Sequence, residues 1–197
     1  MYAGYDTTAS VASNAVWQLA KHPEVWDKVK EEQAGVVAEY GPVFTEVAVE
    51  AMVYTEAVVK EAMRVMPPLA ANFKIATKTF GLAGRRIPKG WMVVTATGST
   101  AQYFNDRWPM DADFRPERFL TGKAPDACQD MVFGLGAHTC IGSRLSLVEN
   151  TVVLATLARG YVFSLVEDGS RVVSDPMPRP ENGLPVCVTR RGDPRNQ

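Results

Sequence analysis

The chain has 197 residues, 46% hydrophobic and 22% charged, with a net charge of −1. These values suit one globular domain and encode no bulk attraction to nucleic acid or to an anionic surface. No run of about 18 apolar residues is present, and Asp6 interrupts any apolar leader, so neither a spanning helix nor a signal peptide is expected. Three cysteines without Cys-x-x-Cys spacing and only two histidines argue against a disulfide framework, a structural zinc site or a multi-histidine metal site.

In chain order, the stretch from Met1 to about His22 predicts a helix lined by small residues. Pro23 suits the first turn of a second helix running to about Tyr40, ended by Gly41-Pro42. A third helix is expected from about Thr45 to Met66, with Val58, Ala62 and Val65 on its apolar face and Pro67-Pro68 as its stop. The character then changes. "FKIATKTF" and "WMVVTA" predict strands around the turn-rich "GLAGRRIPKG". Residues 98–130 read as irregular. A fourth helix is expected from about Ile141 to Arg159 with Gly160 closing it, followed by short strands at Tyr161–Leu165, Arg171–Val173 and Pro185–Thr189.

The most informative stretch is "FGLGAHTCIG", Phe133 to Gly142. Its glycines permit conformations closed to other residues and close approach by a flat ligand. Cys140 lies at the mouth of the expected helix, where the helix dipole favours a thiolate. Taken alone, such a thiolate is a nucleophile with His138 as its base, a metal ligand, or a structural cysteine in a glycine turn. A dinucleotide loop does not fit, because Thr139 stands where a third glycine is needed. A phosphate loop fails for want of Gly-Lys-Ser/Thr.

Three other stretches remove that ambiguity. "FGLGAHTCIG" matches the F-x-x-G-x-[RH]-x-C-x-G signature of the cytochrome P450 family. "AGYDTT" (Ala3 to Thr8) resembles that family's oxygen-activation stretch, "EAMR" (Glu61 to Arg64) its E-x-x-R element, and "FRPERF" (Phe114 to Phe119) its P-E-R-F element. The four occur in the family's order over almost the whole chain. The wording around "PPLAANFKIATKTF" and "IPKGW" loosely resembles the retinoid- and sterol-hydroxylating branch.

The resemblance implies a mainly α fold with small β-sheets. Residues 1–197 would form the C-terminal part of a single P450 domain: the remainder of the central helix, the E-x-x-R helix, the cysteine-ligand loop and the helix after it. It implies haem b (iron protoporphyrin IX) with Cys140 as the iron ligand. Phe133 would shield the sulfur, Gly136 and Gly142 would admit the porphyrin, and Lys74 and His138 would face the propionates. Asp6 and Thr7 would be catalytic, serving oxygen activation and proton delivery. Glu61, Arg64 and Arg118 would be structural.

The implied activity is a monooxygenase inserting one atom of O2 into a hydrophobic small molecule. Electrons would come from NAD(P)H through a separate NADPH-dependent reductase or a ferredoxin, and no nucleic acid is involved. Full-length relatives are often bound to the endoplasmic reticulum membrane. Because the resemblance covers only the C-terminal half, the chain by itself is expected to hold haem poorly and not to turn over substrate. The rivals are a non-catalytic truncated remnant, a haem-thiolate isomerase or dehydratase that does not use O2, and a haem-free thiol enzyme using Cys140 and His138. Cys128 and Cys187 carry no assigned role.

Overall fold

A computed structural model describes residues 2–96, 113–120, 131–167, 171–174 and 177–192. Among the described residues are five α-helices and four two-stranded antiparallel ribbons. The helices are α1 (Tyr2–Lys21), α2 (Pro23–Tyr40), α3 (Glu46–Glu50), α4 (Val53–Val65) and α5 (Ser143–Gly160). The strands are β1 (Asn72–Ile75), β2 (Phe80–Leu82), β3 (Arg85–Ile87), β4 (Met92–Thr95), β5 (Tyr161–Leu165), β6 (Val172–Ser174), β7 (Pro178–Pro180) and β8 (Val186–Arg190). The architecture is mainly helical with small sheets, as the sequence predicts.

The main core lies where α1, α2, α4 and α5 meet. Val11, Ala15 and Leu19 of α1 pack with Val29 of α2, Val58 and Ala62 of α4, and Leu154 and Ala158 of α5. Trp26 meets Phe163 of β5 at 4.8 Å between ring centroids, which ties the β5–β8 ribbon to the bundle. Pro23 opens α2 at its first turn, as expected, and Gly41 closes it at φ 81°.

The third expected helix is in fact two. The chain leaves helical geometry at Met52 (φ −82°, ψ 52°), between α3 and α4. The cause is tertiary. The Glu32 carboxylate of α2 accepts the backbone N–H groups of Tyr54 (2.5 Å) and Thr55 (2.9 Å) and the Thr55 hydroxyl (2.6 Å). It caps the positive end of α4 from a neighbouring helix, satisfying donors that a continuous helix would have used internally. A buried polar chain continues from there: Gln33 donates to Thr55 (3.1 Å), and Arg159 of α5 donates to Gln33 (3.0 Å) and to the Pro42 carbonyl (2.9 Å). Burial lowers the Arg159 pKa.

The strand region is more regular than its turn-rich composition suggests. β1 pairs with β4, and between them "GLAGRRIPKG" itself contributes to a hairpin, β2 with β3. Its two-residue turn has Ala83 at φ 49° and Gly84 at φ 75°, both left-handed, as the turn favoured in tight hairpins requires. The helix after the cysteine loop begins at Ser143 with Gly142 as its N-cap, not at Ile141, so Cys140 lies two residues upstream of the cap. Gly160 is the last helical residue and not a left-handed stop; the chain passes directly into β5. β7, a Pro-Arg-Pro strand that the sequence does not predict, pairs among the described residues with β6 alone, an edge position that tolerates missing N–H donors. Cys128 and most of the expected irregular stretch lie outside the described residues.

Candidate functional site

The cysteine loop is closed by its own backbone. The Cys140 N–H donates to the Phe133 carbonyl (2.8 Å), Gly134 N–H to Met131 (2.9 Å), and Thr139 donates through both N–H and hydroxyl to the Gly136 carbonyl (3.1 and 2.8 Å). Gly134 and Gly136 sit at φ 75° and 71°, which only glycine adopts without strain. A side chain on Gly136 would meet nothing within 4 Å, so that position opens outward. A side chain on Gly142 would make ordinary contact with the Cys140 sulfur at 4.0 Å, so packing within the chain does not demand glycine there.

Cys140 is a free, exposed thiol flanked by exposed apolar side chains, Leu135, Ile141 and Leu145. Exposed apolar residues beside a soft sulfur donor suit a flat, apolar, iron-bearing ligand better than they suit water. Haem fits these residues. Among the described residues no cluster of three or more His, Cys, Asp or Glu could hold a metal ion unaided.

Thr7 and Phe133 are brought together. With Val11, Met63, Leu69 and Ser146 they line a recess of about 60 Å³ between α1, α4, the segment after α4 and the cysteine loop. The Thr7 hydroxyl donates to the Ala3 carbonyl of the preceding turn (2.7 Å). Asp6 is exposed, one position away on α1. Thr8 donates to Ser146 of α5 (3.4 Å), linking the two helices beside the recess. Lys74 on β1 and His138 in the 3-10 turn Gly136–His138 are both exposed, and neither side chain makes a hydrogen bond or ion pair with another described residue.

Glu61, Arg64 and Arg118 also converge. Arg64 donates bidentately to the Glu61 carboxylate, both bonds 2.7 Å, and Arg118 donates at 3.1 Å from the 3-10 turn Pro116–Phe119. The Arg115 backbone N–H adds a fourth donor at 2.9 Å, while both guanidinium groups donate to the Asp113 carbonyl (3.3 and 3.2 Å). Glu61 is fully buried and Arg64 nearly so. A buried carboxylate is tolerable only with such complete pairing. The P-E-R-F turn is held a second time at Glu117, which accepts from Lys28 (2.7 Å) and from the Tyr54 hydroxyl (3.0 Å). Burial pushes the Glu117 carboxyl up, but the Lys28, backbone and Tyr54 hydrogen bonds outweigh it and hold the pKa below its usual value. The Tyr54 phenol is raised, by burial first and then by Glu117.

Sequence reading did not find Ser146, Arg115 N–H, Lys28 or Tyr54 in these roles. Each is an ordinary helix or loop residue whose partner is distant in sequence. No described helix is long and apolar enough to cross a membrane.

Comparison with known proteins follows the same lines. The chain is 32% identical over 194 residues to protopanaxadiol 6-hydroxylase of Panax ginseng, covering 96% of this chain and 40% of that protein. It is 32% identical to cytochrome P450 26A1 of Xenopus laevis (94% and 39%) and 34% identical to abscisic acid 8'-hydroxylase 1 of Oryza sativa subsp. japonica (97% and 41%). Retinoic acid bound cyanobacterial CYP120A1 superposes with a TM-score of 0.86 at 25% identity, over 96% of this chain and 44% of that one. The chain therefore spans about two fifths of the length of the proteins it matches. The cytochrome P450 family model matches residues 1–187, and with the four motifs placed as described, the chain belongs to the cytochrome P450 family.

Proposed function

We propose that a protein carrying this sequence is a haem-thiolate monooxygenase, with residues 1–197 forming the C-terminal part of its single P450 domain. The observation that carries this reading is Cys140: a free, exposed thiol on a loop closed by its own N–H to Phe133, with Phe133 and Thr7 lining one recess. Haem iron bound through this thiolate supplies O2 activation and transfer of one oxygen atom to the substrate.

The chain's own residues then divide the remaining work. Cys140 would hold the iron, and Phe133 would shield the sulfur in the haem-bound protein. Gly136 leaves its outward side free for the porphyrin, Gly142 lies beside the sulfur, and Lys74 and His138 would face the propionates. Thr7 holds a proton at its hydroxyl, exchanging the Ala3 carbonyl for a bound acceptor, and exposed Asp6 passes protons from solvent toward it. Glu61, Arg64 and Arg118 act structurally, holding the segment 113–118 against α4.

Relatives named for protopanaxadiol and abscisic acid hydroxylation, and a neighbour holding retinoic acid, support a hydrophobic substrate. Electrons come from NAD(P)H through a separate reductase or ferredoxin.

The test is the reduced carbon-monoxide spectrum of the full gene product. A red-shifted Soret band lost in Cys140→Ala supports the assignment, and the same band retained in that variant sinks it. Turnover that proceeds from a peroxide substrate without O2 or reductase would instead favour the isomerase or dehydratase chemistry.

A further inference from the structure

The recess beside the cysteine loop is lined by two hydroxyl groups, Thr7 and Ser146, and they are not equivalent. The Thr7 proton is committed to the Ala3 carbonyl at 2.7 Å. Ser146, in the first turn of α5, is bonded the other way. Its oxygen accepts from the Thr8 hydroxyl (3.4 Å) and from the Asn150 side-chain amide (3.5 Å), and its own proton has no acceptor among the described residues. A hydroxyl that accepts twice keeps its O–H free to donate to whatever fills the recess.

The Asn150 amide is fixed in this orientation. Its nitrogen lies 2.9 Å from the Ser146 carbonyl, where only an N–H group fits. Asn150 is 1% exposed, and its Oδ1 has no partner among the described residues. A buried amide oxygen without a partner is costly, yet α5 carries that cost while holding the amide nitrogen on Ser146.

The helix sets this hydroxyl on the sulfur side of the recess. Ser146 stands one turn after Gly142, and its N–H donates to the Gly142 carbonyl (2.9 Å). Residues four apart share a helix face, and their Cα–Cβ bonds tilt toward the N-terminus. A side chain on Gly142 would lie 4.0 Å from the Cys140 sulfur. One helical turn, roughly 5–6 Å between side-chain origins, keeps Ser146 from bonding the sulfur itself. Its donor is therefore aimed beside the thiolate and not at it.

We infer that Ser146 donates a hydrogen bond toward the haem held by Cys140, from the thiolate side, with Thr8 and Asn150 as the positioning residues that turn its proton outward. The inference rests on the haem-thiolate reading above. A donor dipole aimed at an electron-rich group stabilises the extra electron of the reduced state, so Ser146 raises the reduction potential. Thr7 and Ser146 then divide the recess, one hydroxyl serving proton delivery and the other the electronics of the iron.

The test is a spectroelectrochemical titration of the full gene product, together with the C–O stretching frequency of its reduced carbon-monoxide complex. Ser146→Ala is expected to lower the equilibrium constant for one-electron reduction roughly threefold to tenfold, from the ordinary worth of one hydrogen bond. The C–O stretch should move to lower wavenumber, because a more electron-rich iron back-donates more. Ser146→Thr keeps the hydroxyl and should restore both values. Asn150→Ala should shift them in the same direction as Ser146→Ala, but by less, with far-UV circular dichroism checking that the fold survives. If Ser146 merely links α1 to α5, Ser146→Ala lowers the unfolding midpoint and leaves potential and stretch at the parent values; that outcome overturns the inference. Equal shifts in Ser146→Ala and Ser146→Thr overturn it too. A parent protein without the red-shifted carbon-monoxide band overturns the haem-thiolate reading and this inference together, whereas that band with an unmoved potential overturns this inference alone.

Discussion

The Glu61 cluster and the Cys140 loop are both dense in chemistry-bearing residues, yet they are built in opposite ways. At Glu61 a fully buried carboxylate meets two guanidinium groups and a backbone N–H, and the partners come from α4 and the segment 113–118. At Cys140 the backbone is equally well satisfied, but the side chains face outward: the thiol, Leu135, Ile141 and Leu145 are exposed. The first region spends its polar groups on one another and so supports the fold. The second uses hydrogen bonds only to shape a loop and keeps its reactive group available. Burial with complete pairing therefore marks the scaffold, and exposure on a rigid, glycine-shaped loop marks the place for a ligand.

Substitutions should separate the two regions by size of effect. Glu61→Ala leaves Arg64 and Arg118 buried without their carboxylate and is expected to cost about 3–5 kcal/mol in urea unfolding. A loss below about 1 kcal/mol would show that water reaches the cluster and that the pairing matters little. Gly136→Ala tests the shaped loop. It forces a side chain into φ 71° and should cost about 1–2 kcal/mol without creating any clash. Glu32→Ala removes the cap that separates α3 from α4, with an expected loss of about 1–2 kcal/mol and lower helicity by circular dichroism.

The Glu117 contact bridges the comparison, because it is half exposed yet pins the same turn as Arg118. Its folded pKa lies below the ordinary 4.5, so its stabilisation is complete above that value and is lost as pH falls through the lower folded pKa. Exposure keeps the contribution under about 1 kcal/mol. Unfolding of Glu117→Gln should therefore match the parent at low pH and fall slightly behind it above pH 4.5. Smallest of all, Cys140→Ser should change chain stability by less than about 0.5 kcal/mol, since the thiol packs against almost nothing. A large loss there would mean that Cys140 belongs to the scaffold after all.

Much of this was legible in the sequence because its signals are local. Pro23 at a first turn, Gly41 at a stop and the strand at Tyr161–Leu165 follow from propensity and punctuation within a few residues. The Glu61–Arg64 pairing is also local, since residues three apart share a helix face. Arg118 was legible only by resemblance, because nothing in a Pro-Glu-Arg-Phe string names a partner 57 residues upstream. The β2–β3 hairpin escaped notice because three-residue strands show no period, and β7 because proline argues against a strand until an edge position accommodates it.

By itself, then, the sequence determined the helical character, the order of the four motifs and the identity of the thiol, all of which are written in short-range patterns. Only the tertiary structure decided that Glu32 divides the third helix, that Thr7 and Phe133 share a recess, and that Arg85 stands across from Leu82 at the tip of the β2–β3 hairpin. The physical reason is the same in each case. A cap, a recess or a charged tip depends on which distant backbone groups are brought within a few ångströms, and that is set by helix packing and strand register.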